Sequence, residues 1–95
     1  MSDAFKAMAD PTRREILRLL RQHGELSAGA LAEHFDLTRP AVSHHFAVLK
    51  GADLVGTRRD GQTIYYSLNT TVVQDLVMSV CDLFSVNRPD PESPR

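Results

Sequence analysis

Residues 26–50, LSAGALAEHFDLTRPAVSHHFAVLK, hold two short helical patterns with almost no spacer between them. Thr38-Arg39-Pro40 is a helix-start signal. The threonine hydroxyl can accept from a first-turn amide, and a proline there lacks only a donor that the helix would leave unpaired anyway. A helix is therefore expected from about Arg39, with Val42, Phe46 and Leu49 recurring at spacings of four and three as its buried stripe. Its other face carries Arg39, Ser43, His44 and Lys50, which are donors without a carboxylate and suit an element facing phosphates and base edges. Upstream, Ser27 can cap a helix running to Phe35, in which Ala28, Leu31, Ala32 and Phe35 again repeat at three and four. Asp36-Leu37-Thr38 is then a tight turn between two helices.

Downstream, Leu54 to Arg59 and Thr63 to Leu68 flank Asp60-Gly61. Asp-Gly supplies the positive φ angles of a tight hairpin, and Ile64, Tyr65 and Tyr66 have the branched and aromatic shapes that suit strands. Such a hairpin is a wing. Its tip, Arg58-Arg59-Asp60-Gly61-Gln62, places two guanidiniums where they can reach backbone phosphates or the minor groove beside the helix. Tyr65 and Tyr66 alternate along the strand, so one points inward and the other outward, and local pattern does not choose between them.

Working outward, Asp10-Pro11 is an N-cap with a first-turn proline. It opens a helix to about Gln22, with Ile16, Leu17 and Leu20 facing inward and Gly24 closing it. Before it, Phe5 and Met8 lie three apart on a short amphipathic helix. Thr70 or Thr71 opens a last helix over Val72 to Val86, whose apolar residues include Leu76, Val77, Val80, Leu83 and Phe84. That stripe is too broad for one surface, and the simplest cover for its second face is the same helix of another copy across a two-fold axis. Phe5, Met8, Leu76, Val77, Val80, Leu83 and Phe84 are the expected dimer contacts. Residues 1–86 are expected to form one domain. Residues 87–95, with three prolines in nine residues, are expected to be a disordered tail.

With 95 residues, burial is limited and pairing with a second copy helps. The net charge of −1 argues against a purely electrostatic nucleic-acid coat, but its sign is uneven. Between Thr38 and Arg59 four basic residues meet one acid, giving +3 and leaving −4 elsewhere. A local basic footprint on an acidic body is what site-directed DNA binding requires. No apolar run approaches a bilayer span and the N-terminus lacks a signal peptide's pattern, so a cytoplasmic protein is expected. One cysteine, Cys81, excludes an intramolecular disulfide and a cysteine-only metal cluster within one chain.

Three separate stretches resemble the ArsR/SmtB family of winged-helix repressors. They are Phe5-Lys6-Ala7-Met8-Ala9-Asp10-Pro11-Thr12-Arg13-Arg14-Glu15-Ile16-Leu17, then Ser43-His44-His45-Phe46-Ala47-Val48-Leu49, then the wing Gly61-Gln62-Thr63-Ile64-Tyr65-Tyr66-Ser67-Leu68. Within that family the chain is most similar to small autorepressors without a metal site, of the kind that controls a sporulation-delaying toxin operon. The join Leu68-Asn69-Thr70-Thr71-Val72-Val73-Gln74-Asp75 is part of that similarity. The resemblance implies a mainly α fold with a small β-hairpin. This is a winged helix-turn-helix in the order α-α-α-α-β-β-α, paired as a homodimer through its first and last helices, with Arg39 to Gly51 as the recognition helix. It also implies a sequestering membrane-bound or antirepressor protein as a further partner.

The departures from the family pattern bear on metals. Metal-sensing members carry Cys-x-Cys after a Glu-Leu, whereas Glu25-Leu26 is followed here by Ser27-Ala28-Gly29, so soft-metal binding there is lost. The zinc site of other members needs histidine on the last helix, and no histidine follows His45. Sulfur-responsive members use two cysteines, and only Cys81 is present. No metal and no cofactor are expected.

Single residues also have blander readings. His44 and His45 are adjacent and point about 100° apart on a helix, which disfavours a shared ion. His44 is the better candidate for DNA, and His45, in line with Val42 and Leu49, is the half-buried one. Cys81 among apolar neighbours reads as an inert core thiol. Arg13 and Arg14 read equally as a solvated face or as approaching phosphate. His23 and His34 read as surface residues.

The expected function is therefore a sequence-specific, dimeric transcriptional repressor, probing an inverted repeat with Thr38, Arg39, Ser43, His44, Lys50, Arg58, Arg59 and Gln62. The alternatives are a winged-helix module for protein contact and a repressor released by an unidentified small-molecule ligand. An enzyme is not expected, because no Ser-His-Asp, paired-carboxylate or phosphate-loop arrangement stands at workable spacing.

Overall fold

Each long helix starts at a short polar side chain that accepts from its first turn. A computed structural model describes residues 2–85. The order is α1 (Ser2–Ala7), α2 (Pro11–His23), β1 (Glu25–Ser27), α3 (Ala28–Phe35), α4 (Arg39–Gly51), β2 (Val55–Asp60), β3 (Thr63–Leu68) and α5 (Thr70–Phe84). Asp10 accepts the Arg13 amide at 3.0 Å. Ser27 accepts that of Ala30 at 3.1 Å, and Thr38 that of Ala41 at 3.2 Å. Each of these bonds satisfies one of the donors that a helix start leaves unpaired. The last helix is capped by Asn69, which accepts the Val72 amide, and not by the threonines that follow it. Gly24 at φ 82° closes α2, and Asp36 at φ 53° turns the chain sharply between α3 and α4.

The sheet is antiparallel in the order β1-β3-β2, so the wing's second strand is central. β1 was not expected. Its three residues are too few to show alternation, and they become a strand only because Leu26 and its neighbours find Tyr66 and its neighbours opposite. Asp60 pairs with Thr63, which leaves Gly61-Gln62 as a two-residue turn. Gly61 has φ 63°, while neither Asp60 nor Gln62 is among the described residues of positive φ. Positive φ at the first turn residue alone is the type II′ pattern, so Gly61, and not the Asp60-Gly61 pair, supplies the needed freedom.

Ile16, Leu20, Leu31, Val42, Phe46, Leu49 and Leu54 are fully enclosed. Leu17, expected inside, is half-buried at the core's edge, and Leu19 takes the inner position. Tyr66 is the inward tyrosine, its ring stacked on Phe46 at 3.6 Å between centroids and 13° between planes. α5 contributes little to this core: Leu76 is its one buried residue, while Val77, Leu83 and Phe84 are 41%, 73% and 68% exposed. Leu76 thus faces its own protomer and has little surface to offer a second copy. Val86 and the expected tail 87–95 lie outside the described residues.

Candidate nucleic-acid interface

The polar face of α4 emerges because its apolar stripe is consumed by the core. Val42, Phe46 and Leu49 are buried, and the intervening Arg39, Ser43, His44 and Lys50 are left exposed. The start of α4, the start of α3 and the wing enclose a concavity of about 340 Å³ bordered by Ser27, Gly29, Arg39, Ser43, Gln62 and Thr63. Three of the expected contacts, Arg39, Ser43 and Gln62, therefore share one surface. Lys50 stands apart, about 16 Å further along the helix at 1.5 Å per residue. The Thr38 hydroxyl oxygen already accepts from Ala41, so it has its second lone pair and its proton left for another partner.

Arg39 reaches back over α3. A side chain at Gly29 would place its Cβ 3.2 Å from the Arg39 guanidinium, so the missing side chain leaves the arginine room to lie there. Ser27 and Gly29 are the positions at which a thiolate pair would stand by the family resemblance. Here one caps a helix and the other gives room to an arginine. Among the described residues no three His, Cys, Asp or Glu side chains gather as a metal ion would need.

On the wing the two arginines differ. Arg58 donates twice to Glu25, Nε at 2.9 Å and Nη2 at 2.8 Å, and lies 4.6 Å over the Tyr65 ring. The Arg58 hydrogen bond holds the Glu25 carboxyl below its usual range and raises the guanidinium further. Because the folded-state carboxyl titrates lower, the pair contributes at neutral pH and is lost only as pH falls through that lowered range. Arg59 follows on the opposite face of the strand and is exposed. The cross-strand Glu25–Arg58 link was missed in the sequence because it joins residues 33 apart through the unexpected β1.

Arg13 and Arg14 are neither a bare solvated face nor free cations. Arg14 donates to the Met8 carbonyl at 2.8 Å, and Arg13 donates to the carbonyls of Ala7 and Lys6 and to the His45 ring. Arg18 is paired with Glu15 along the same helix. His45 is half-buried, as its position in line with Val42 and Leu49 led us to expect. His23 and His34 are exposed, the latter edge-on to Phe35. Cys81 is a half-buried free thiol. No helix among the described residues is long and apolar enough to cross a membrane.

A helix-turn-helix domain family matches residues 8–58, which takes in α2 to α4 and half of the wing. The chain is 53% identical over 77 residues to the transcriptional repressor SdpR of Bacillus subtilis strain 168, covering 81% of this chain and 84% of that protein. Among solved structures it is similar to a possible transcriptional regulator for arsenical resistance, with a TM-score of 0.77 and 38% identity over 90% of this chain and 86% of that one. It is likewise similar to an ArsR family transcriptional regulator, with a TM-score of 0.71 and 26% identity over 90% and 91% of the two chains.

Proposed function

Because this chain belongs to the ArsR/SmtB family of winged helix-turn-helix transcriptional regulators, we propose that it is a homodimeric repressor. In this reading it occupies an inverted-repeat operator with the exposed face of α4 and grips the flanking backbone with its wing. The observation that carries the reading is the concavity that puts Arg39, Ser43 and Gln62 on one surface between the recognition helix and the wing. Ser43 and His44 read base edges with help from Arg39. Lys50, Arg59 and the Thr38 hydroxyl hold phosphates, Gln62 contacts the groove from the wing tip, and Arg58 joins once a phosphate displaces Glu25.

The second copy follows from α5. A helix that leaves Val77, Leu83 and Phe84 open presents a larger apolar face than a protomer of this size hides, and Phe5 on α1 is open as well at 45% exposure. An apolar groove of about 340 Å³ between α2 and α5, lined by Met8, Leu17, Val73 and Val77, adjoins it. Met8, Val80 and Phe5 complete the contact, and a two-fold axis there matches two half-sites one helical turn apart. The protein works in the cytoplasm without a metal, as an autorepressor released by its own falling level or by a sequestering protein.

Selection from a random double-stranded DNA pool at near-physiological salt, with and without zinc, tests the reading. The expected result is an enriched inverted repeat that zinc does not alter. Absence of enrichment from folded, dimeric protein would instead favour a module for protein contact.

The wing gives a second expected result. Arg59→Ala weakens binding to all sequences about equally and lowers the salt slope by roughly one per subunit. Glu25→Gln, which removes the carboxylate that competes for Arg58, strengthens binding and steepens that slope. An Arg59→Ala effect confined to one operator position, seen by competition with single-base variants, would make Arg59 a base reader.

A further inference from the structure

Arg13 and His45, 32 residues apart, meet behind the recognition helix. One guanidinium spans two elements there. Its Nε donates to the Ala7 carbonyl at 2.7 Å and its Nη2 to the Lys6 carbonyl at 3.3 Å, both in the last turn of α1, where the Lys6 carbonyl also accepts the Ala9 amide at 3.1 Å. Its Nη1 lies 3.3 Å from His45 Nδ1 on α4. A guanidinium has donors only, so this contact is a hydrogen bond when Nδ1 is the acceptor, which is the tautomer with the ring proton on Nε2. The Asp10 side chain faces the same nitrogen but stands beyond hydrogen-bond reach. Its carboxylate is 4.0 Å from Nδ1 and instead accepts the Arg13 amide at 3.0 Å.

His45 occupies the boundary of α4. Ser43 and His44 are exposed on one side, and Phe46 is buried on the other. Its side chain is 17% exposed, so its ring is held by its surroundings while Ser43 and His44 face outward. Val42, Phe46 and Leu49 seat α4 in the core, and fixing the His45 ring adds a further restraint on the roll of the helix that carries Ser43 and His44. Binding to a helix already held in its reading orientation loses less to ordering.

We propose that Arg13 is a positioning residue for operator reading: it clamps the His45 imidazole, and with it α4, to the end of α1 without itself touching DNA. The inference rests on the repressor reading above. It replaces the phosphate contact that the sequence alone left open for Arg13. It also ties α1, which carries Phe5 at the proposed dimer contact, to the helix that reads DNA.

The test titrates the selected operator against wild type, Arg13→Ala, His45→Asn and His45→Phe over a range of salt concentrations. Arg13→Ala is expected to bind about tenfold more weakly at every salt concentration, a loss of the size of a charge-assisted hydrogen bond, with the wild-type salt slope. His45→Asn keeps an acceptor oxygen the same number of bonds from Cα as Nδ1 and is expected to stay within about threefold of wild type. His45→Phe, a ring without an acceptor, should match Arg13→Ala, and the double variant should be no weaker than either single change. Imidazole ¹⁵N shifts of the DNA-free protein at a pH of about 8, above the ordinary histidine range, should report the Nε2-H tautomer in wild type and a mixture in Arg13→Ala.

A salt slope lowered by about one in Arg13→Ala would make Arg13 a phosphate ligand and overturn the proposal. So would unchanged affinity of that variant, His45→Asn as weak as His45→Phe, or a tautomer indifferent to Arg13. If Arg13→Ala does not fold, the two His45 variants carry the test. Failure of wild type to select any DNA would sink the repressor reading instead, and the tautomer measurement in the free protein would still decide the clamp.

Discussion

Phe46→Ala is expected to destabilise the protein by about 3–5 kcal/mol, the range for truncating an enclosed aromatic side chain. Phe46 is 2% exposed and stacks on Tyr66, so its removal opens a void where the back of α4 meets the central strand. That joint cannot close easily, because Val42 and Leu49 on the same helix are already seated and β3 is held on both edges by β1 and β2. Against a typical total of 5–15 kcal/mol, the loss should leave the variant partly unfolded near body temperature. Urea unfolding of both proteins at one fixed protein concentration measures it, since a dimer's apparent stability depends on concentration. A loss below about 1.5 kcal/mol would mean that the ring stack is not the joint we describe.

The pair Val77→Asp and Leu83→Asp, made together, should turn the proposed dimer into a folded monomer and weaken operator binding by about 100-fold or more. Both side chains are exposed in the protomer, so the fold does not depend on them, and each new carboxylate would have to be buried unpaired at a contact between copies. The loss on DNA comes from geometry: two linked half-site readers act at a high effective concentration, and separated ones do not. Sedimentation equilibrium and operator titration on the same samples check the two halves of this expectation. A variant that stays dimeric and binds normally would move the contact away from α5. A monomer that binds normally would show that one half-site suffices.

These two expectations draw on different kinds of information. Phe46 stands on a stripe that the spacing of Val42, Phe46 and Leu49 already displays, whereas its partner Tyr66 is indistinguishable from Tyr65 until the strand is placed. Once β3 pairs with β2 on one side and β1 on the other, the two tyrosines separate. Tyr66 stacks on the core, and Tyr65 lies beneath the Arg58 guanidinium. The open side chains of α5 were legible as an excess of apolar residues. That Leu76 turns inward while Val77 and Leu83 do not depended on how the helix leans on its own protomer.

The arginines show the same division. Composition locates them and charge patterning suggests a basic footprint, but charge alone does not distinguish a cation waiting for phosphate from one already committed. Arg58 is committed to Glu25 across the sheet, and Arg13 to α1 and His45. Arg39 and Arg59 are exposed, as the sequence reading expected, and neither is tied to a carboxylate as Arg58 is.

By itself, the sequence determined most features whose cause lies within about four residues, though the cap of α5 fell on Asn69 and not on the threonines after it. Asp10-Pro11, Ser27 and Thr38-Arg39-Pro40 start helices, Gly24 ends one, Gly61 turns the wing, and the three-and-four spacing selects the faces of α3 and α4. Caps, turns and periodicity act over one turn of chain, so their causes are adjacent in the sequence. Only the tertiary structure decided β1, the inward tyrosine, the partners of Arg13 and Arg58, and the shared concavity of Arg39, Ser43 and Gln62. Each of these includes a link between residues about twenty to forty apart, such as Arg13 with His45 and Arg58 with Glu25, and whether they meet depends on how the helices pack around Phe46 and Leu49. That packing is a sum of many weak, non-directional contacts with no signature in any short stretch of chain.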